Sequence, residues 1–222
     1  MVLTSHERLG DTDRRTGLWF EEFAIPYYTF RDAGADITLA SPKGGYVPVD
    51  PDSDPAHAPP PSLARFKQDP QARAALSDAL QLEQVHAEDF DAAFYPGGHG
   101  SLWDLSQNKR SAHLINAFYA AGKPVALICH GVAALLNVRD AEDHPLLRGK
   151  HVTGFSNSEV EAMGLASIVP FKLEDELRAR GALFTRAADN TPYVVRDGNL
   201  ITAQNHASTS DITAAVLNAL QP

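Results

Sequence analysis

One cysteine, Cys129, is all that the 222 residues contain, so no intrachain disulfide can form and a disulfide-stapled secreted scaffold is excluded. Basic residues are few: 19 Lys and Arg against 28 Asp and Glu give a formal net charge of −9. They are scattered, which leaves no positive footprint for a phosphate backbone or an anionic lipid surface. No apolar run approaches the roughly 18 residues of a membrane span, and the opening MVLTSHERLG lacks the basic-then-apolar pattern of a secretory leader. These absences predict a cytoplasmic protein that binds neither nucleic acid nor membrane. Nine histidines occur, but there is no H-E-x-x-H and no second cysteine for a thiolate cluster, so a zinc hydrolase is disfavoured and no metal is expected. The Gly-Lys-Ser/Thr of a phosphate loop is missing as well.

What is present is an apolar content of 44% without internal repeats, enough for one sizeable α/β domain spanning residues 1–222. Residues 46–62, YVPVDPDSDPAHAPPPS, are too dense in proline for a helix or a central strand and predict a long loop insertion. A loop of that length is a functional wall or a plain excursion; its flanking apolar residues favour an ordered wall. Elsewhere strand-like and helix-like segments alternate. Val2–Thr4, Asp36–Ala40, Phe90–Tyr95, Val125–Cys129 and His151–Thr153 read as strands, the apolar runs among them as strands buried on both faces. Tyr193–Val195 and Leu200–Thr202 form a hairpin around Asp197-Gly198. Trp19, Phe23, Tyr27 and Phe30 fall on one helical face of residues 17–34, with a break expected at Pro26, which cannot bond to the carbonyl of Glu22. Gln71–Leu82, Leu102–Ala121 and a closing stretch carrying Ile212, Ala215, Val216, Ala219 and Leu220 supply further helices. The alternation predicts a doubly wound, mostly parallel sheet with helices on both faces, a flavodoxin-like arrangement.

In such a sheet chemistry sits just beyond the carboxyl ends of the strands, and three stretches there are unusual. In ALICHGVAALL (126–136) Cys129 ends a buried strand and His130-Gly131 turns into a helix, the layout of a nucleophile elbow. A helix N-terminus would stabilise a thiolate and leave the thiol partly exposed and activated; the alternative is a small buried hydrophobe. In FYPGGHG (94–100), Gly97, Gly98 and Gly100 allow close backbone approach and can aim N–H groups at an oxyanion, or simply make a tight turn around His99. Glu21 and Glu22 stand in the aromatic-faced helix, where most glutamates are solvated.

With TGLWFEEFAIPYYTF (16–30), LASPKGG (39–45), FYPGGHGSLWDL (94–105), ALICHGVAALL (126–136), GKHVTGFSNSE (149–159) and DGNLITAQNHAST (197–209) set side by side, the chain resembles the PfpI-like superfamily. That superfamily has a class I glutamine amidotransferase-like fold, and the branch most similar includes glyoxalase III and the small heat-inducible chaperone. The resemblance implies Cys129 as nucleophile, Glu22 as the carboxyl group beside its sulfur, Gly98 and His130 as backbone N–H donors, and His130 as the imidazole of a Cys-His pair. The acid that orients that imidazole in relatives falls here on Val160, between Glu159 and Glu161; Glu159, nearer the strand end, is the expected substitute. The candidate site therefore comprises Cys129, His130, Glu22 and Glu159 as catalytic groups, and Gly97, Gly98, His99 and Gly131 as oxyanion or substrate-binding positions. The resemblance implies a longer apolar first strand than MVLTS offers, so that strand is either truncated or simply short.

The same resemblance implies a cofactor-free lyase that turns methylglyoxal and related 2-oxoaldehydes into 2-hydroxy acids, in a stress or detoxification role and as a homodimer. Deglycase, intracellular cysteine peptidase, and chaperone or redox-sensor roles stay open as alternatives. A glutamine amidotransferase is disfavoured because Asn205-His206-Ala207 has no acid beside its histidine.

Overall fold

The computed structural model describes residues 1–55 and 57–221. Its central sheet has the strand order β3 (Ala93–Tyr95), β4 (Val125–Ile128), β8 (Leu200–Ala203), β7 (Val194–Asp197), while β1 (Ala40–Ser41) with β2 (Leu80–Gln81), and β5 (His151–Val152) with β6 (Leu183–Phe184), pair as two-stranded parallel ribbons. β3, β4 and β8 run parallel, and β7 closes the edge antiparallel to β8. The N-terminal residues stitch β1 to β3: Val2 N donates to Phe94 O at 2.9 Å and Leu3 N to Ala40 O at 2.8 Å. The expected strand at Val2–Thr4 is thus reduced to a single bridge at Val2 that joins the two blocks.

The helices α1 (Phe20–Asp32), α2 (Pro61–Gln68), α3 (Pro70–Ser77), α4 (Lys109–Ala120), α5 (Asn157–Ala162), α6 (Leu173–Ala179) and α7 (Thr209–Leu220) flank the strands. α1 packs along α7, which lies on β4 and β8. Val125, Ala126, Leu127 and Ile128 are all fully buried, as a central parallel strand covered on both faces requires. Among the described residues no helix is long and apolar enough to cross a membrane.

Several expected boundaries shift. α1 runs through Pro26 without a break. One missing hydrogen bond is outweighed because Phe23, Ala24, Tyr27 and Tyr28 on either side are buried, and each large side chain contributes roughly 1.5–3 kcal/mol. The helix expected at Gln71–Leu82 ends at Ser77, since Leu80 and Gln81 pair in parallel with Ala40 and Ser41. Residues 99–107 form short 3₁₀ turns, and α4 starts only at Lys109, where Asn108 caps the helix by accepting from Ser111 N at 2.8 Å. The segment after Cys129 is likewise a 3₁₀ stretch, Cys129–Leu135, instead of an α-helix.

The proline-rich segment 46–62 is more structured than a loop. Pro51–Ser53 makes a 3₁₀ turn capped by Asp50, and α2 begins at Pro61; Ala56, within the segment, lies outside the described residues. Asp50 is buried, and the segment is tied to the start of α1 by Leu18 N to Pro48 O at 2.8 Å and by Phe20 N to Ser53 Oγ at 3.0 Å.

Candidate active site

At the end of β4 the chain turns at Cys129 with φ +56°. A non-glycine residue in this left-handed region costs on the order of 1–3 kcal/mol, and here it lifts the side chain out of the strand toward the neighbouring loop. That loop follows β3. The register pairs Tyr95 with Leu127, so two residues further along Gly97 lies opposite Cys129. A Cβ added to Gly97 would lie 2.8 Å from Cβ of Cys129 and 2.5 Å from Oε2 of Glu22; only a bare Cα leaves room for both.

Glu22 reaches this point from the first turn of α1, which is fixed on the same loop by Trp19 N to Gly97 O at 3.0 Å. Gly98, at φ +111°, lets Gly17, Leu18 and Trp19 lie directly against it. Glu22 Oε2 accepts from Gly97 N at 2.9 Å, Oε1 has no hydrogen-bond partner among the described residues, and the Cys129 thiol lies against the carboxyl group. Burial pushes the Glu22 carboxyl up to about 8, against the opposing pull of the Cys129 and Gly97 contacts. Burial also pushes the Cys129 thiol well above its usual value, the charge of Glu22 adds to this, and the His130 N–H bonded to the sulfur opposes it. The expected partly exposed, activated thiolate is therefore corrected. Cys129 is 6% exposed, and the resting pair holds its protons.

His130 Nδ1 stands 3.6 Å from Sγ. Its ring is clamped between two others, with centroids 4.6 Å from His99 and 4.5 Å from Phe155. Burial and then the charge of His99 push its imidazole well below the usual value, so it rests neutral with Nδ1 facing the sulfur. Its Nε2 has no hydrogen-bond partner.

The carboxylate expected to orient His130 does something else. Glu159 is buried but makes no hydrogen bond to His130. Its Oε2 accepts from Ser156 N at 3.0 Å, Ser156 Oγ at 2.7 Å and Gln204 Nε2 at 3.1 Å. Its Oε1 accepts from Asn205 Nδ2 at 2.7 Å and Asn190 N at 3.1 Å. The physical reason is local: Ser156 and Glu159 form a reciprocal capping box at the start of α5, and the spacing Ser-x-x-Glu in SNSE is its sequence signal.

Two glycines also differ from expectation. The N–H of Gly97 is taken by Glu22, and Gly131 is held against Tyr95 O and Pro96 O, where a Cβ would come within 2.6 Å; its role is close packing. The Gly98 N–H makes no hydrogen bond among the described residues.

Cys129, His130, Glu22, Glu159, Gly98 and His99 all line one cavity of about 260 Å³. Trp19, Phe155, Ala162, Met163, Asn190 and His206 complete it, and none of them is among the site residues expected from the sequence. Trp19 and His206 meet at 6.1 Å between centroids. Asp50, also missed, stands behind His99, with Oδ2 3.5 Å from Nδ1. Among the described residues no three His, Cys, Asp or Glu side chains converge as a metal-binding cluster.

Comparison with known proteins matches residues 19–219 to the DJ-1/PfpI family. The chain is 28% identical to the glutathione-independent glyoxalase HSP31 of Saccharomyces cerevisiae, covering 100% of this chain and 97% of that protein. Its fold superposes on Rapid Encystment Protein 24 kDa of Francisella tularensis with a TM-score of 0.96 and 37% identity, covering 100% of this chain and 98% of the other. Glyoxalase III of Candida albicans superposes with a TM-score of 0.91 at 26% identity, covering 99% and 95%.

Proposed function

The chain belongs to the DJ-1/PfpI family, and from that premise we propose that it is a cofactor-free, cysteine-dependent glyoxalase. Its substrates are methylglyoxal and related 2-oxoaldehydes, its products 2-hydroxy acids. The observation that carries this reading is the Glu22 carboxyl, pushed up to about 8, packed against the Cys129 thiol across Gly97. The names of the yeast and Candida relatives support it.

The reaction requires a nucleophile, a base for that nucleophile and a group that moves a proton between adjacent carbons. As the Cys129 sulfur adds to the aldehyde carbon C1, its proton passes to neutral His130 at Nδ1. His130 then protonates the new alkoxide, leaving a neutral hemithioacetal. Glu22, with roughly a tenth of its population ionised at pH 7 for a pKa about one unit higher, removes the C1 proton. The C1 hydroxyl proton passes to the C2 oxygen, giving an enediolate, and Glu22 returns its proton to C2 while the C1 oxygen becomes the thioester carbonyl. Water cleaves the thioester, releasing the 2-hydroxy acid and restoring the thiol. C1 is oxidised and C2 reduced, so no external electron carrier enters. The Gly98 N–H and the His130 N–H are the donors assigned to developing oxyanion charge.

The cavity's volume of about 260 Å³ supports a small substrate over an extended peptide. The test is methylglyoxal consumption by purified protein without glutathione. Lactate is expected from the wild type and none from Cys129→Ser; a wild type that forms no lactate overturns the reading. The same reading takes the protein as a cytoplasmic homodimer, which sedimentation of the purified protein and fractionation of cells address.

A further inference from the structure

His130 has no carboxylate on its ring, yet a base in this position needs its ring plane fixed and its proton supply controlled. The nearest buried acid-imidazole pair is Asp50 with His99. Their side chains are 6% and 4% exposed, Asp50 Oδ2 is 3.5 Å from His99 Nδ1, and the His99 ring lies 4.6 Å from that of His130. Asp50 is itself fixed, since its Oδ2 accepts from Thr16 Oγ1 at 2.8 Å and its Oδ1 accepts from Asp52 N at 3.0 Å. We propose that Asp50, carried by the proline-rich segment 46–62, is a positioning residue that acts through His99 to seat His130 against Cys129 and to keep its imidazole neutral. The proposal rests on the glyoxalase reading for the role of His130 as base, and it deepens that reading by supplying the partner that Glu159 does not.

The electrostatics run in the same direction. Burial alone would raise the Asp50 carboxyl, but its contacts with His99, Thr16 and Asp52 hold it below the usual carboxylate range, so a negative charge sits permanently behind His99. The charge of His99 opposes protonation of His130, and Asp50 is the carboxylate that faces the His99 ring from behind, with Oδ2 3.5 Å from Nδ1. The other titratable groups around the two rings are Cys129 and Glu22 on one side, Glu159 from α5, and His206 from the turn before α7; no lysine or arginine lines the cavity. The proline-rich segment therefore reaches the proton-handling machinery through one buried side chain and not as the expected wall, since none of its described residues lines the cavity.

The experiment follows the His130 imidazole by NMR in protein labelled at histidine, with the resonance assigned through His130→Gln. Asp50→Asn keeps the carbonyl that accepts from Asp52 N but removes the charge and the Oδ2 acceptor of Thr16 Oγ1; His99→Gln removes the ring between them; Thr16→Val removes that same hydrogen bond without changing any charge. The titration midpoint of His130 is expected to rise by at least about half a pH unit in Asp50→Asn and His99→Gln, and to stay in place in Thr16→Val. In parallel, kcat for methylglyoxal should fall about tenfold in both charge-relay variants with KM changed by less than about twofold. An unmoved His130 midpoint in Asp50→Asn overturns the proposal, and should that variant not fold, an unmoved midpoint in His99→Gln does so. An equal rise in Thr16→Val reduces the effect to loosened packing and also overturns it. The NMR readout needs no turnover, so a protein that shifts as expected but forms no lactate would sink the glyoxalase reading alone.

Discussion

Glu22 and Cys129 meet across the bare Cα of Gly97, one from the first turn of α1 and the other from the turn that ends β4. Neither element on its own makes a reactive group. Their meeting places a carboxyl and a thiol in a buried setting where both charged forms are disfavoured, so that protons are exchanged within the pair before they are lost to solvent.

Glu22→Gln should lower lactate formation by at least about a hundredfold, because the amide cannot carry the proton from C1 to C2. Glu21→Gln should leave the rate within about twofold, since Glu21 acts on the site only as a neighbouring charge on Glu22. Steady-state kinetics on both variants decide it, and similar losses from the two would reject Glu22 as the proton carrier.

The same carboxyl makes stability depend on pH. Its folded pKa of about 8 lies above the ordinary 4.5, so between those values the native state binds more protons than the unfolded one. The stability this contributes is fully present below 4.5 and is lost as pH rises through 8. Relative to wild type, Glu22→Gln should therefore gain stability on going from pH 4.5 to above pH 8, by on the order of 4 kcal/mol. Urea unfolding of the two proteins at both pH values measures the gap; a constant gap refutes the buried neutral acid.

Glu159→Gln replaces a carboxylate oxygen that accepts from Ser156, Gln204 or Asn205 with an N–H₂ that faces donors. The expected cost is about 1–3 kcal/mol of stability, read from the urea midpoint, with any loss of rate following from displacement of α5. Glu161→Gln, at an exposed position paired only with Lys172, should move the midpoint by less than about 0.5 kcal/mol.

Cys129 should react slowly with iodoacetamide in the native protein at neutral pH, more slowly than after unfolding in urea, because burial holds the thiol protonated. Native alkylation as fast as that of the unfolded chain would show an open, ionised sulfur and contradict the buried pair.

Much of this site is legible in the sequence because its parts are punctuated. Apolar runs bounded by glycine and proline mark β3 and β4, and Cys129 and Gly97-Gly98 stand at their ends. Short-range order competes with tertiary order elsewhere. Pro26 signals a break that burial of its neighbours overrides. Glu159 sits one position from where an orienting acid is expected, but the capping box with Ser156 has the prior claim on its carboxylate. Asp50 was invisible for a different reason: an irregular segment has no period from which inward and outward positions are read, and three aspartates within 50–54 look alike until the fold buries one of them.

The hydrogen bonds from Gln204 and Asn205 to Glu159 have a consequence for how the protein is made. A ribosome releases Trp19 and Glu22 early, Cys129 in mid-chain, and the two amides that hold the Glu159 carboxylate close to the end. Until then the Glu159 carboxylate has only its Ser156 and Asn190 donors among the five described. The site is therefore completed in one late event, when the last strand docks beside β4, and a growing chain stalled before residue 204 lacks both of the amides that hold Glu159.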